Sequence, residues 1–441
     1  MAFTTIQGSA STDATSLSGT SGVDTAVVTN QPNGLFVSAD AANDVLDFSE
    51  SGSGYTVLGG QGADQIVSGA VLSGASINGN QDADTIIISS LGTSVVYGGK
   101  QGDTITTGSL TSSSLYGNLG DDAITVTSGL ASSNVYAGKN NDTVTIGGVI
   151  AGSTINGDIG ADTINITGAN LESGSVVQGG QNEDTITLTG VSVFTTDSSV
   201  FGGQGNDTIN TTNSTAAVAL YGNNDNDTMT SGGGADILDG GDGADNLTGG
   251  AGGDTITGGN GADTLVGDGG ADQFVYTTGL SIDATTFVSG GGGDVAAFSL
   301  SALETNGAVF GSTTIDFIQG NGTSVTVGNA QTVTAGGGAI TIAAGTTVIS
   351  STVAAANAAA VELAWENGAG AGVVTTNAAI AAGDSFLLQY ATGGGQRRLA
   401  VATSVAAVGA AATVEDWEIT DITTTAGGIG ALAAGNVAFI A

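Results

Sequence analysis

Aspartate returns along this chain at nearly constant intervals, and that regularity leaves few folds open. With one aspartate taken per unit, the series runs Asp24, Asp44, Asp64, Asp84, Asp103, Asp122, Asp142, Asp162, Asp184, Asp207 and Asp227. The successive steps are 20, 20, 20, 19, 19, 20, 20, 22, 23 and 20. From Asp227 the step drops to nine, through Asp236, Asp245, Asp254, Asp263 and Asp272, and a degenerate copy at Gly290 to Asp294 closes the series. A fixed period of this size marks a solenoid, in which each repeat packs only on its neighbours.

Two apolar columns accompany the aspartates. Two residues after them stand Leu46, Ile66, Ile86, Ile105, Ile124, Val144, Ile164, Ile186, Ile209 and Met229. Seven residues before them stand Val57, Ile77, Val96, Leu115, Val135, Ile155, Val177, Val200 and Leu220. Two columns per repeat predict two short strands per coil, and the glycine-rich segments between them read as turns. The expected fold is all-β: a right-handed parallel β-roll or β-helix solenoid, followed by a smaller β-rich C-terminal domain. Stacked at about 4.8 Å per coil, the eleven long repeats span about 50 Å.

Charge narrows the partners. The 441 residues hold 41 acids and four bases, Lys100, Lys139, Arg397 and Arg398, for a net charge of −37. Nucleic acid and anionic lipid need basic surfaces, so neither is a partner. An acidic, aromatic-poor chain ordinarily reads as disordered, but here 40% of residues are hydrophobic and recur in register. Cysteine and histidine are absent, which removes disulfides, zinc sites and Ser-His-Asp chemistry. No apolar run is long enough to span a membrane. The N-terminus lacks the basic and apolar regions of a cleaved signal, so the chain is expected to be cytoplasmic or exported without one. No pair of acids stands out for hydrolysis, and the chain is expected not to be an enzyme.

The unit Gly-Gly-x-Gly-x-Asp-x-apolar-x, clearest at Gly240 to Leu247, Gly249 to Ile256 and Gly258 to Leu265, resembles the calcium-binding nonapeptide of RTX (repeats-in-toxin) proteins. In a regular β-roll of that family two nonapeptides form one coil, with calcium turns on both edges. Here the motif occupies only one half of each coil between residues 24 and 227, and the other half is Ser/Thr/Gly filler such as Ser109 to Ser114. Three segments follow: residues 1–227 with one calcium row, 228–279 with two, and 280–441 as a β-rich assembly or secretion domain.

Calcium takes six to eight hard oxygens. The glycines let turn carbonyls face one centre, and the aspartate adds a carboxylate. One turn supplies too few oxygens, so multiple Ca2+ ions are expected between successive coils, as the resemblance also implies. The candidate ligating aspartates are Asp64, Asp84, Asp103, Asp122, Asp142, Asp162, Asp184, Asp207, Asp227, Asp236, Asp245, Asp254, Asp263 and Asp272. The candidate turn glycines are Gly60, Gly62, Gly241, Gly243, Gly250, Gly252, Gly259 and Gly261. Asp82, Asp121, Asp158, Asp225, Asp242 and Asp268 stand at variable turn positions and are candidates to enrich some sites. Stacked carboxylates repel, so ion binding is expected to be folding.

Two columns are expected to face outward. Threonines after the aspartates read as an exposed β face, as a hydroxyl array for lateral packing, or as an ice-binding face. Tyr97, Tyr116, Tyr136, Phe201 and Tyr221 form a structural stack or a contact surface. In the C-terminal third, Ala354 to Ala364 reads as a short helix, and Phe386 to Tyr390 with Leu399 to Val401 as a hairpin. The C-terminal end resembles that of RTX substrates of type I secretion. Together these point to a calcium-dependent structural protein of a bacterial surface, polymerising head to tail into a layer or matrix filament. The alternative is an RTX adhesin or ligand-binding module for carbohydrate or ice.

Overall fold

The computed structural model describes residues 16–28, 33–48, 50–168 and 170–276, and beyond them only separate strands between residues 283 and 440. It forms two compact units, residues 1–234 and 235–441. The first unit is a parallel β-solenoid. On one side eleven strands stack in order, from Ser16–Ser18 through Val95–Lys100, Ser114–Leu119 and Asn134–Lys139 to Ala219–Asn224. On the other side the strands that follow each aspartate stack likewise, for example Thr104–Thr111 between Thr85–Gly92 and Ala123–Ala131. No helix occurs among the described residues.

Register follows the aspartate series. Ile86, Ile105 and Ile124 pair in line, as do Val96, Leu115 and Val135. Both columns are fully buried, as period-two alternation requires of a strand with one face inward. Where the step lengthens, first to 22 and then to 23, the register holds: Thr163, Thr185 and Thr208 remain partners. The additional residues lie within 168–175 and 190–198, between the strands that carry the ladders.

The expectation of two strands separated by filler needs correction. In the coils between residues 65 and 131 the strand after the aspartate continues through the expected filler, as in Gln65–Ser73 and Ala123–Ala131. That stretch buries a third column, Leu72, Leu91, Leu110, Leu130, Ile150 and Leu171. One leucine or isoleucine in a polar run suffices, because only one residue per coil points inward there.

The filler also holds a second polar row. Ser113 donates its N–H to Ser133 Oγ at 3.1 Å, and Ser133 to Ser153 Oγ at 3.0 Å. Ser94 donates to Ser113 and Ser175 to Ser198, both at 3.1 Å. Each serine lies nine residues before an aspartate and is buried. The long coil is thus two unequal halves, nine residues from serine to aspartate and 10 to 14 from aspartate to the next serine, with serine in the place of aspartate in one half.

In the second unit, Ile237–Asp242 pairs in parallel with Thr255–Asn260, and Asn246–Thr248 with Thr264–Val266. The hairpin expected near residue 390 is present: Ser385–Ala391 runs antiparallel to Arg397–Ser404, which pairs in turn with Trp417–Thr425. The expected helix from Ala354 falls, beyond that residue, outside the described residues.

Replacing Ser133 by Ala leaves the buried N–H of Ser113 without an acceptor. The expected cost is about 1–3 kcal/mol, read as a lower urea midpoint of the calcium-loaded protein. An unchanged midpoint would show that the serine row carries no stability.

Candidate calcium row

Every motif aspartate of the solenoid points inward. Asp64, Asp103, Asp142 and Asp184 are only 1–2% exposed, although a lone buried carboxylate is costly. One oxygen of each is accounted for. Oδ1 accepts the backbone N–H of the aspartate one coil earlier: Asp64 to Asp84, Asp84 to Asp103, Asp103 to Asp122 and Asp122 to Asp142, each at 2.7 Å. The ladder runs unbroken from Asp24 to Asp227. The second unit has two such ladders of its own, Asp236–Asp254–Asp272 and Asp245–Asp263, at 2.9 Å. The geometry therefore provides one aspartate row along the long repeats and two along the nonapeptides.

The other oxygen is left over. Oδ2 of Asp44, Asp64, Asp84, Asp103, Asp122, Asp142, Asp162, Asp184, Asp207 and Asp254 is buried with no donor in reach. Asp24 differs, because its Oδ2 accepts the N–H of Thr20 at 2.6 Å.

The turn that faces these oxygens is built from left-handed residues. Gly60 and Gly62 have φ of 115° and 107°, and the same places one coil on hold Asn80 and Asp82, at 81° and 69°. Gly241, Gly243, Gly250, Gly252, Gly259 and Gly261 all lie at positive φ as well. Asparagine and aspartate are the non-glycine residues that tolerate this region best, which explains their presence at variable motif positions. Asp82 and Asp225 therefore serve the turn: each accepts a backbone N–H from the previous coil, from Gly62 at 2.9 Å and from Gly205 at 3.2 Å. Asp121 and Asp242 accept from Asn141 and Asn260 at the surface.

A further glycine, the first of the Gly-Gly-x-Gly-x-Asp unit, is not among the candidate turn glycines named from the sequence. Five residues before the aspartate stand Gly59, Gly79, Gly98, Gly117, Gly157, Gly179 and Gly202. A Cβ on Gly59 would lie 2.6 Å from Asp64 Oδ2 and 2.7 Å from the carbonyl oxygen of Gly79 in the next coil. On Gly98 the distances to Asp103 Oδ2 and Gly117 O would be 2.5 and 2.8 Å. A side-chain-free residue thus lets a carboxylate oxygen and a carbonyl oxygen from two coils close on one space. The available signal is the recurrence itself, one glycine at the same offset in coil after coil.

Burial above all, and then nearby acids of the row or of the turns, push these carboxyls far up: Asp64, Asp122, Asp162 and Asp207 to about 6, Asp84 and Asp254 to about 7, Asp103, Asp142 and Asp184 to about 8. The only lysines, Lys100 and Lys139, are exposed and are too few to neutralise the row. Among the described residues no three acidic, histidine or cysteine side chains converge on one point. An ion here would take one carboxylate per coil and complete its shell from carbonyls. The residues present fit calcium, a hard cation that takes oxygen ligands in flexible geometry.

Residues 196–213, 219–247 and 239–274 match the model of the RTX calcium-binding nonapeptide repeat (4 copies). The chain carries RTX calcium-binding repeats. No curated protein matches it. The matched residues take in the last long coils, with Ser198 and Asp207, as well as the nine-residue repeats that follow them.

The shifted carboxyls set a pH dependence. Their folded pKa lies above the unfolded value of 3.8, so without metal the folded state binds more protons and gains stability as pH falls. That contribution is complete below about 4 and is lost as pH rises through 6 to 8. Calcium-stripped protein is expected to gain β-type circular dichroism between pH 8 and pH 5, and calcium binding at pH 6 is expected to release protons into a weakly buffered solution. A stripped protein whose β signal falls on acidification would contradict the burial of the row.

Proposed function

We propose that this chain is an extracellular structural protein of a bacterial surface, folded by a row of calcium ions and assembled from many copies into a layer or matrix filament. The row of buried carboxylate oxygens without donors or cations carries the reading. Such a row repels itself, and divalent ions convert that repulsion into cohesion, so that binding and folding are one process. In a cytosol poor in calcium the chain stays extended, which suits export through a type I secretion channel. Outside it meets the ion and folds.

Assembly is supported by the outer face of the solenoid. Thr106, Thr125 and Thr145 stand in line, flanked by Thr104, Ala123 and Thr143, all along one parallel ladder. This flat row of hydroxyls and small side chains suits contact with a second copy, and heterologous contacts between unlike surfaces generate open chains. The reading assigns no reaction to the chain.

A second reading, a carbohydrate-binding module, has one observation in its favour. The rings of Tyr97, Tyr116 and Tyr136 stack at 5.1 and 5.2 Å. Beside the first of them lies an open groove of 420 Å³ lined by Asn78, Asn80, Gln81, Tyr97, Lys100 and Asn118, among others. Amides and an aromatic ring are groups that recognise sugar hydroxyls and ring faces.

Circular dichroism and electron microscopy of the full chain, with and without millimolar calcium, test both parts. The expected result is a weak β signal without the ion at pH 8, and a strong signal with sheets or fibres when it is added. Monomers persisting at high concentration with calcium would overturn assembly, and retention on a glycan array would then favour the second reading.

A further inference from the structure

The row of aspartates is continuous, but the glycine that opens each cradle is not. Five residues before the aspartate, Gly59, Gly79, Gly98 and Gly117 are followed by Ala137, and then by Gly157, Gly179 and Gly202. Ala137 is paired in register with its neighbours: Tyr136 and Gly138 lie opposite Asn156 and Asp158, which places Ala137 against Gly157. It is fully buried.

The coils on either side show what a methyl does there. A Cβ on Gly117 would stand 2.3 Å from Asp122 Oδ2 and 2.2 Å from the carbonyl oxygen of Ala137. A Cβ on Gly157 would stand 2.4 Å from both Asp162 Oδ2 and Gly179 O. Such distances lie far inside van der Waals contact, so a carbon at this place and the converging oxygens exclude one another. In the coil of Asp142 the carbon is present. Asp142 is itself 1% exposed, its Oδ1 accepts the N–H of Asp122, and its Oδ2 has no donor.

We propose that the ion row is broken at this coil: the cradles of Asp64, Asp84, Asp103 and Asp122, and those of Asp162, Asp184 and Asp207, take calcium, whereas the methyl of Ala137 closes the cradle of Asp142 to it. The site of Asp122 stays intact, because it uses only the carbonyl of Ala137, which alanine supplies as well as glycine does. Ala39 stands in the same place before Asp44, whose Oδ2 is likewise buried without a donor, and closes that cradle in the same way. The ions of the first unit therefore fall into two blocks separated by one dry coil. This inference rests on the calcium reading of the row.

Counting ions tests it. Full-length protein is saturated with calcium, dialysed against a fixed free concentration, and analysed for calcium per chain by elemental mass spectrometry. Ala137→Gly is expected to add one ion per chain, and Gly117→Ala to remove one. The double variant Ala137→Gly/Asp142→Asn is expected to return to the wild-type count, which separates filling of the new cradle from general loosening. An unchanged count in Ala137→Gly would overturn the inference while leaving the calcium reading standing. A wild-type chain that retains no calcium would overturn both. Should Gly117→Ala fail to fold, a crystal structure of the calcium-loaded wild type decides the matter: metal density beside Asp122 and Asp162 with none beside Asp142 is the expected result, and an ion at Asp142 is the opposing one.

Discussion

Everything in the solenoid answers to one arrangement, a column of carboxylates placed where water cannot reach them. Each gives one oxygen to a backbone N–H of the neighbouring coil and so becomes part of the stacking ladder. The same bond fixes the side chain inward and leaves its second oxygen facing the turn. Burial that would ordinarily be a defect is thus produced by the hydrogen bond that holds the coils in register. Protons or divalent ions can relieve it, and the surrounding oxygens favour the ion.

The opposite edge shows how the same ladder is built without charge. Serine Oγ accepts the N–H that Asp Oδ1 accepts elsewhere, at a slightly greater distance of 3.0–3.1 Å against 2.7–2.8 Å. A carboxylate makes the shorter and stronger bond, but it brings repulsion along the column. A hydroxyl makes a weaker bond that needs no counter-ion. The long coils therefore combine one edge whose cohesion depends on solution conditions with one that does not, whereas the nonapeptide coils of the second unit carry aspartate on both.

Much of this is legible in the residues. The period, the two buried columns, the turns and the aspartate rows follow from spacing alone, because a stacked parallel strand repeats its environment once per coil. The leucine column and the serine row do not stand out, for the same physical reason. Each contributes one residue per coil within a polar stretch, so local composition reads as loop. Their long-range recurrence is nonetheless as regular as that of the aspartates, since Ser94 and Ser113 keep the same step as Asp84 and Asp103, and Ser175 and Ser198 the same step as Asp184 and Asp207. The turn acids carry a part that charge alone does not reveal. Asp82 and Asp225 read as additional ligands by charge, and their backbone conformation and their bonds to Gly62 and Gly205 give them a part in shaping the turn as well. Gly59 and its equivalents read as generic turn residues, although their place beside Oδ2 depends on the next coil, which no single repeat reveals.

The tolerance of the coil to additional residues has a consequence for size. The shortest and the longest steps of the long repeats, 19 and 23, stack through the same aspartate ladder, because the surplus leaves the wall between the strands that hold it. Chain length and axial length are thereby uncoupled. The body behaves as a ruler graduated in rungs of about 4.8 Å, so that insertions roughen its sides, and only the gain or loss of a whole rung changes the distance it spans.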